Sequence, residues 1–387
     1  MKDSGKKLLI AMSIVLILTC VVGCNREDTS KGSGMKDSAP AGKLTISLAK
    51  YSDDDFMQEI YSIDILSKEG TIIAEDHGVY TAPKWSHDGT KLAYSSGTDT
   101  MDEKAQYIKI IDSSGEELNT LPDLGGNETV IGWSKDDREI LVQSLVQDDI
   151  YFTMFYIMDV KTGEARLVGD FREDVFKAIQ FAQWSPDEKY VVFSAIDELG
   201  SSSIYKLDVS DGSLTTLTQG YYDDFPRWSP DGQYIVFQRM RVESSEDVQG
   251  YNPCIDIWIA DAEGEEFKCI ARDENMDHTD VVWSPDGKNI AFIRSSKDVT
   301  DYDNELVLYN IESEEAKVLT DKEGYKYIPV FSPDGKYLAF GSFIGDPSQE
   351  IPDEGFENHI YIMDIEKGKM QKIYTITGDI YTLEWSE

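Results

Sequence analysis

Trp228-Ser229-Pro230-Asp231-Gly232-Gln233-Tyr234-Ile235-Val236-Phe237 is the stretch that decides the fold. A Pro that presets φ, an Asp that can bond the backbone beyond it and a Gly that supplies φ > 0 together make a tight turn. The apolar run after the turn reads as a short buried strand. The aromatic-Ser pair recurs at Trp85-Ser86, Trp133-Ser134, Trp184-Ser185, Trp283-Ser284, Phe331-Ser332 and Trp385-Ser386. Taken with Trp228-Ser229, the spacings are 48, 51, 44, 55, 48 and 54 residues. Ser-Pro-Asp-Gly is complete at 229–232, 284–287 and 332–335, and His87-Asp88-Gly89, Lys135-Asp136-Asp137 and Pro186-Asp187-Glu188 are variants of it.

Each unit continues with an alternating strand that ends in Asp or Asn: Asp64, Asp112, Asp159, Asp208, Asp261, Asn310 and Asp364. A polar turn and a fourth strand follow, as in Leu214-Thr215-Thr216-Leu217-Thr218. Period-two alternation between turn signals means β-strands, and four strands per repeat of this length is the arrangement of a propeller. The expected fold is all-β, a seven-bladed propeller of four-stranded antiparallel blades over residues 43–387. The two ends complement each other. Residues 382–387 supply only an inner strand, while Leu44–Leu48, Ile60–Ile65 and Thr71–Ala74 supply a second, third and fourth. Pairing 383–386 with 44–48 would complete one blade and remove two open edges. On this reading the Trp, Ser-Pro-Asp-Gly and strand-end Asp residues serve packing and turns and are not a catalytic set.

The chain has 387 residues, 73 acidic against 36 basic, and a formal net charge of −37. That balance excludes simple nucleic-acid binding, which needs basic patches. Four cysteines are too few for a disulfide scaffold. Lys6 and Lys7 precede an apolar run from Leu8 to Val22, which is short for a membrane span and reads as the core of a signal peptide. The run ends Val21-Val22-Gly23-Cys24, which resembles the lipobox of bacterial lipoproteins. The expected layout is a signal peptide over 1–23, a lipidated Cys24 with a flexible tether over 24–42, and the propeller beyond. The protein would then sit on the extracytoplasmic face of the cell membrane. The tether is rich in Ser, Gly, Lys and Asp and spans roughly 23 Å as a random coil.

In a propeller the second-to-third and blade-to-blade connections share one face. Here the second-to-third loops are long and acidic, as in Gly341–Glu357, and long loops on a rigid scaffold are where function concentrates. The blade-to-blade segments place aromatics beside acids: Tyr80; Tyr222, Asp223 and Asp224; His278 and Asp280; Tyr327; Tyr381. These are the candidate binding residues. Aromatic platforms with carboxylates suit a cationic protein, a peptide or a glycan. The four histidines lie in different units, and no metal or cofactor is expected. The stretch Asp298 to Glu305 reads as a solvated acidic loop. Cys254 and Cys269 are expected to stay apart. With the turn centred on Glu263-Gly264, Cys269 faces Trp258 and Cys254 faces position 273, an offset of roughly 13 Å where a disulfide needs Cα atoms within about 7 Å.

The repeats resemble the WD-like repeats of TolB-type β-propellers, a family that includes the TolB component of the Tol-Pal system. The resemblance implies the propeller fold and a protein partner in the cell envelope. Similar repeats occur in the propeller domains of prolyl-oligopeptidase-like enzymes, which carry a separate hydrolase domain. No Gly-x-Ser-x-Gly elbow occurs here, and no such domain is expected beyond the propeller. The expectation is therefore a monomeric, non-enzymatic binding scaffold. The alternative is a propeller-type lyase or hydrolase acting on cell-wall or external polysaccharide.

Overall fold

The computed structural model describes residues 42–52, 55–77, 82–97, 106–147, 151–172, 178–219, 221–241, 254–297, 304–321, 324–343 and 357–386, together with Pro40 and Phe176. The signal-peptide and lipidation assignments, Cys24 included, lie outside the described residues. Every regular element described is a β-strand, and the strands associate as four-stranded antiparallel sheets of propeller type. One sheet, for example, runs Met276–Trp283, Asn289–Ser296, Asn304–Asn310, Ala316–Val318. A single parallel bridge, Ser202 to Tyr222, joins two such sets.

The turn chemistry explains the repeat. In each turn the Ser hydroxyl donates to the Asp carboxylate two residues on, at 2.6 Å in Ser229–Asp231 and Ser284–Asp286 and 2.7 Å in Ser332–Asp334. The same hydroxyl accepts the backbone N–H five residues on, from Tyr234, Asn289 and Tyr337. Gly232, Gly287 and Gly335 take φ near 70°, a conformation open to Gly without a Cβ penalty. The strand-end acids do the same work at the next turn. Asp159 Oδ1 accepts the N–H of Lys161 and Thr162, and Asp64 Oδ1 those of Leu66 and Ser67.

In several units the aromatic before the Ser joins one unit to the next. The Trp133 indole donates to Lys84 O at 2.8 Å and the Trp283 indole to Arg227 O at 3.2 Å. The hydrophobic cores lie between neighbouring sheets. Leu141, Phe155, Ile157 and Val168 of one sheet meet Ile179, Val191, Phe193 and Leu207 of the next, with Phe155 and Phe193 ring centroids 5.6 Å apart. Each such Leu, Ile or Phe contributes about 1.5–3 kcal/mol by burial.

The strand Asp379–Ser386 pairs antiparallel with Lys43–Ser52, with Leu44 opposite Trp385, Thr45 opposite Glu384 and Ile46 opposite Leu383. Lys43–Ser52 in turn pairs with Asp55–Asp64, and that strand with Gly70–His77. The first and last parts of the chain thus share one sheet, and Lys84 forms an ion pair with Glu384. Trp258 stands opposite Cys269, as the turn arithmetic expects. A bulge then shifts the register, and both cysteines are free thiols.

Candidate functional site

The first strands of successive sheets touch one another, so their side chains gather at the middle of the fold. Five of them carry a bulge at one shared position, between Val130 and Gly132, Gln180 and Gln183, Asp224 and Arg227, Thr279 and Val282, and Tyr327 and Val330. In four of the five the bulged residue is left-handed without being Gly: Phe181 at 48°, Phe225 at 54°, Asp280 at 51° and Ile328 at 49°. Such residues cost about 1–3 kcal/mol each and gather at functional sites. Pro226 and Pro329 follow two of them, where the bulge has already removed the ladder hydrogen bond a Pro cannot make. The bulge re-aims the side chains on either side of it.

Asp224, Arg227, Asp280 and Tyr325 come together across three of these strands. Asp224 accepts hydrogen bonds from Ser194 Oγ and, at 3.0 Å, from Phe225 N. Asp280 accepts one from Thr279 Oγ1 at 3.2 Å. Burial pushes both carboxyls above the ordinary carboxylate range, and the nearby Arg227 guanidinium partly opposes the shift. Burial works against the charge of Arg227 itself, while Asp224 and Asp280 favour it. Burial, with Asp280 alongside, pushes the Tyr325 phenol up to about 12. Arg227 and Asp280 are each partly buried and keep some accessible surface. Arg227 Nη1 donates to Pro226 O at 3.4 Å, and among the described residues no other hydrogen bond engages its guanidinium. Beside this set, the Tyr327 hydroxyl donates to Asn358 Oδ1 at 2.7 Å, and burial raises the carboxyl of Asp379. Two carboxylates and a guanidinium, all partly buried, suit a zwitterionic or peptide-like ligand, with an ammonium at the acids and a carbonyl or carboxylate at the arginine.

The structure separates the residues that sequence reading grouped. It also places those it describes within strands and not in connecting loops, because the bulged first strands begin well before the aromatic-Ser pair. Asp224 and Asp280 belong to the central set. Asp223, one residue away, faces the other side of its strand. It is fully buried and gripped by Arg239, with Nε–Oδ1 at 2.6 Å and Nη2–Oδ2 at 2.8 Å. The Arg239 guanidinium also lies over Tyr221 at 3.8 Å and Trp258 at 4.7 Å. His278 occupies the position equivalent to Asp223. It is buried, its Nδ1 lies 3.0 Å from Ile255 O, and burial lowers its pKa, so it is a neutral packing residue. Tyr327 lies over Gly341, where a Cβ would collide with the ring. Tyr222 and Tyr381 are partly buried near the starts of two separate strands, Tyr222–Trp228 and Asp379–Ser386. Tyr80 and most of the long acidic loops lie outside the described residues. Among the described residues no group of three His, Cys, Asp or Glu side chains is placed to share a metal. Sequence reading missed Arg227. The position before the aromatic-Ser pair carries no distinguishing signal, since it is Lys84, Gly132, Gln183, Val282, Val330 and Glu384 in the other units.

Comparison with known proteins corrects the functional expectation. The chain is 24% identical over 216 residues to dipeptidyl-peptidase 5 of Porphyromonas gingivalis, covering 52% of this chain and 28% of that protein. It is 22% identical over 316 residues to dipeptidyl-peptidase 5 of Porphyromonas endodontalis, covering 78% of this chain and 42% of that protein. The chain thus spans less than half the length of the curated relatives it matches. These relatives are named as peptidases, and the similarity overturns the expectation of a non-enzymatic scaffold. Among solved structures, the β-propeller domain of the Trilobed protease from Pyrococcus furiosus, described as an open velcro topology, superposes with a TM-score of 0.59 at 14% identity, over 87% of this chain and 95% of that one. The pattern described as eukaryotic translation initiation factor eIF2A matches the shorter stretch 226–348. The pattern of the TolB beta propeller domain matches residues 45–252, more than half of the sequence, and the chain belongs to that family.

Proposed function

We propose that this chain is the peptide-handling propeller of a peptidase, and that Asp224, Arg227, Asp280 and Tyr325 contact the peptide. The observation that carries the reading is the similarity to dipeptidyl-peptidase 5, which extends over 78% of the chain in one case. The geometry supports it, because the acids can take a peptide amino group while Arg227 takes a carbonyl or carboxylate oxygen. Tyr222, Tyr327 and Tyr381 would supply surface beside them. On this reading the sheets form seven blades, and pairing of the last strand with the first closes the ring. The protein is held at the extracytoplasmic face of the cell membrane through a lipid on Cys24, with residues 24–42 as tether. The test is calorimetric titration of the purified full chain with short unblocked peptides. Binding that Arg227→Ala and Asp280→Asn each weaken at least about tenfold, or about 1.4 kcal/mol, supports the proposal. Unchanged affinity in both variants, or no binding by the wild type, contradicts it.

A further inference from the structure

Away from the central set, Lys297 Nζ lies 2.6 Å from Cys254 Sγ. Hydrogen bonds between nitrogen and the smaller oxygen already run at about 2.9 Å, so a nitrogen–sulfur pair at 2.6 Å is closer than a donor–acceptor contact. Two atoms joined through one bridging atom, as backbone N and C are across Cα, stand about 2.5 Å apart. Both groups are enclosed, with Cys254 4% exposed and the Lys297 side chain 7% exposed. Asp277 Oδ1 lies 3.9 Å from the lysine nitrogen and is itself anchored by Ile255 N at 2.9 Å. The other cysteine is no competitor. Cys269 stands opposite Trp258, and its Sγ points to Ala271 O at 3.6 Å.

We propose that Cys254 and Lys297 are an oxidative cross-linking site, which hydrogen peroxide converts to a covalent nitrogen–oxygen–sulfur bridge. The thiol attacks one peroxide, breaking its O–O bond to give a sulfenic acid and water. The amine attacks a second, giving a hydroxylamine and water. The hydroxylamine oxygen then displaces water from the sulfenic sulfur, forming S–O–N. Thiol, amine and two peroxides thus become one bridge and three waters, each peroxide accepting two electrons. Condensation of a sulfenic acid with a neighbouring nucleophile is established cysteine chemistry. Cys254 opens the strand Cys254–Asp261 in one sheet, and Lys297 directly follows the strand Asn289–Ser296 in the next. The bridge would therefore tie neighbouring sheets at the points where the chain enters and leaves two of the acidic connections.

The test is peroxide treatment of the purified full chain, then mass spectrometry of a non-reduced digest. The proposal expects a peptide pair joining Cys254 to Lys297 that is heavier than the two peptides together by about 14 Da, one oxygen gained and two hydrogens lost. Dithiothreitol should release it, and both Cys254→Ser and Lys297→Arg should abolish it. A pair lighter by about 2 Da would mean a direct S–N bond and would overturn the oxygen bridge. A disulfide to Cys269, recovery of Cys254 only as thiol or as sulfinic or sulfonic acid, or persistence of the pair in Lys297→Arg would overturn the site. Peptide binding plays no part in this readout, so its outcome is independent of the proposed peptidase function.

Discussion

Glu128 lies at the start of the strand Asn127–Trp133 and is 2% exposed. Its Oε1 accepts Gly126 N at 3.0 Å and Ser144 Oγ at 3.1 Å, while Oε2 is buried without a hydrogen-bond partner among the described residues. Burial pushes this carboxyl up to about 7, only partly opposed by the two hydrogen bonds. A folded-state pKa above the unfolded value means that the group stabilises the fold when protonated. That contribution is complete below about pH 4.5 and is lost as pH rises through 7. At about 1.4 kcal/mol per pKa unit the shift corresponds to about 3 kcal/mol, and allowing for residual solvent screening about 2 kcal/mol is the working value. Glu128→Gln keeps the shape and removes the charge. Urea unfolding of both proteins from pH 5 to pH 9 isolates the term, because all other titrating groups cancel in the difference. The variant should match the wild type within about 1 kcal/mol at pH 5 and exceed it by about 2 kcal/mol at pH 9. A difference that stays constant across the range would refute the argument that Oε2 is trapped without a partner.

Removing residues 382–387 deletes buried Leu383, partly buried Trp385 and the ladder to Lys43–Ser52. The loss exceeds about 5 kcal/mol, comparable to a whole domain's stability, so the melting temperature should collapse; an unchanged value would mean that the last strand does not close the fold. Asp223→Ala leaves the Arg239 guanidinium partly buried without its carboxylate, and chemical denaturation should show a loss of about 3–5 kcal/mol. Adding Arg239→Met to that variant should recover part of the loss. Cys24→Ala should abolish metabolic lipid labelling and release the protein from membranes or leave its precursor uncleaved; normal labelling would refute lipidation at Cys24.

The turns were legible in the sequence because their chemistry is local. Ser229, Asp231 and Gly232 carry the information for their own geometry, as do strand-end acids such as Asp159 and Asp64. The bulges were not legible, because Phe181, Phe225 and Ile328 give no local sign of a left-handed backbone. This is why the candidate residues read as loops. Asp223 and Asp224 looked equivalent in a row of acids, yet alternation in a strand sends neighbours to opposite faces, and the partner that makes Asp223 structural, Arg239, comes from the next strand. His278 misled in the same way. The central set was hidden for another reason: acids, an arginine and a tyrosine look like any charged surface until a long-range fold gathers them.

The central claim, that this propeller serves peptide cleavage, is tested most directly by incubating the purified protein with a defined mixture of unblocked peptides and following the products by mass spectrometry. The account predicts peptides shortened by two residues at a time, with the rate lowered by Arg227→Ala. Peptides that remain intact, or cleavage indifferent to Arg227, would contradict it.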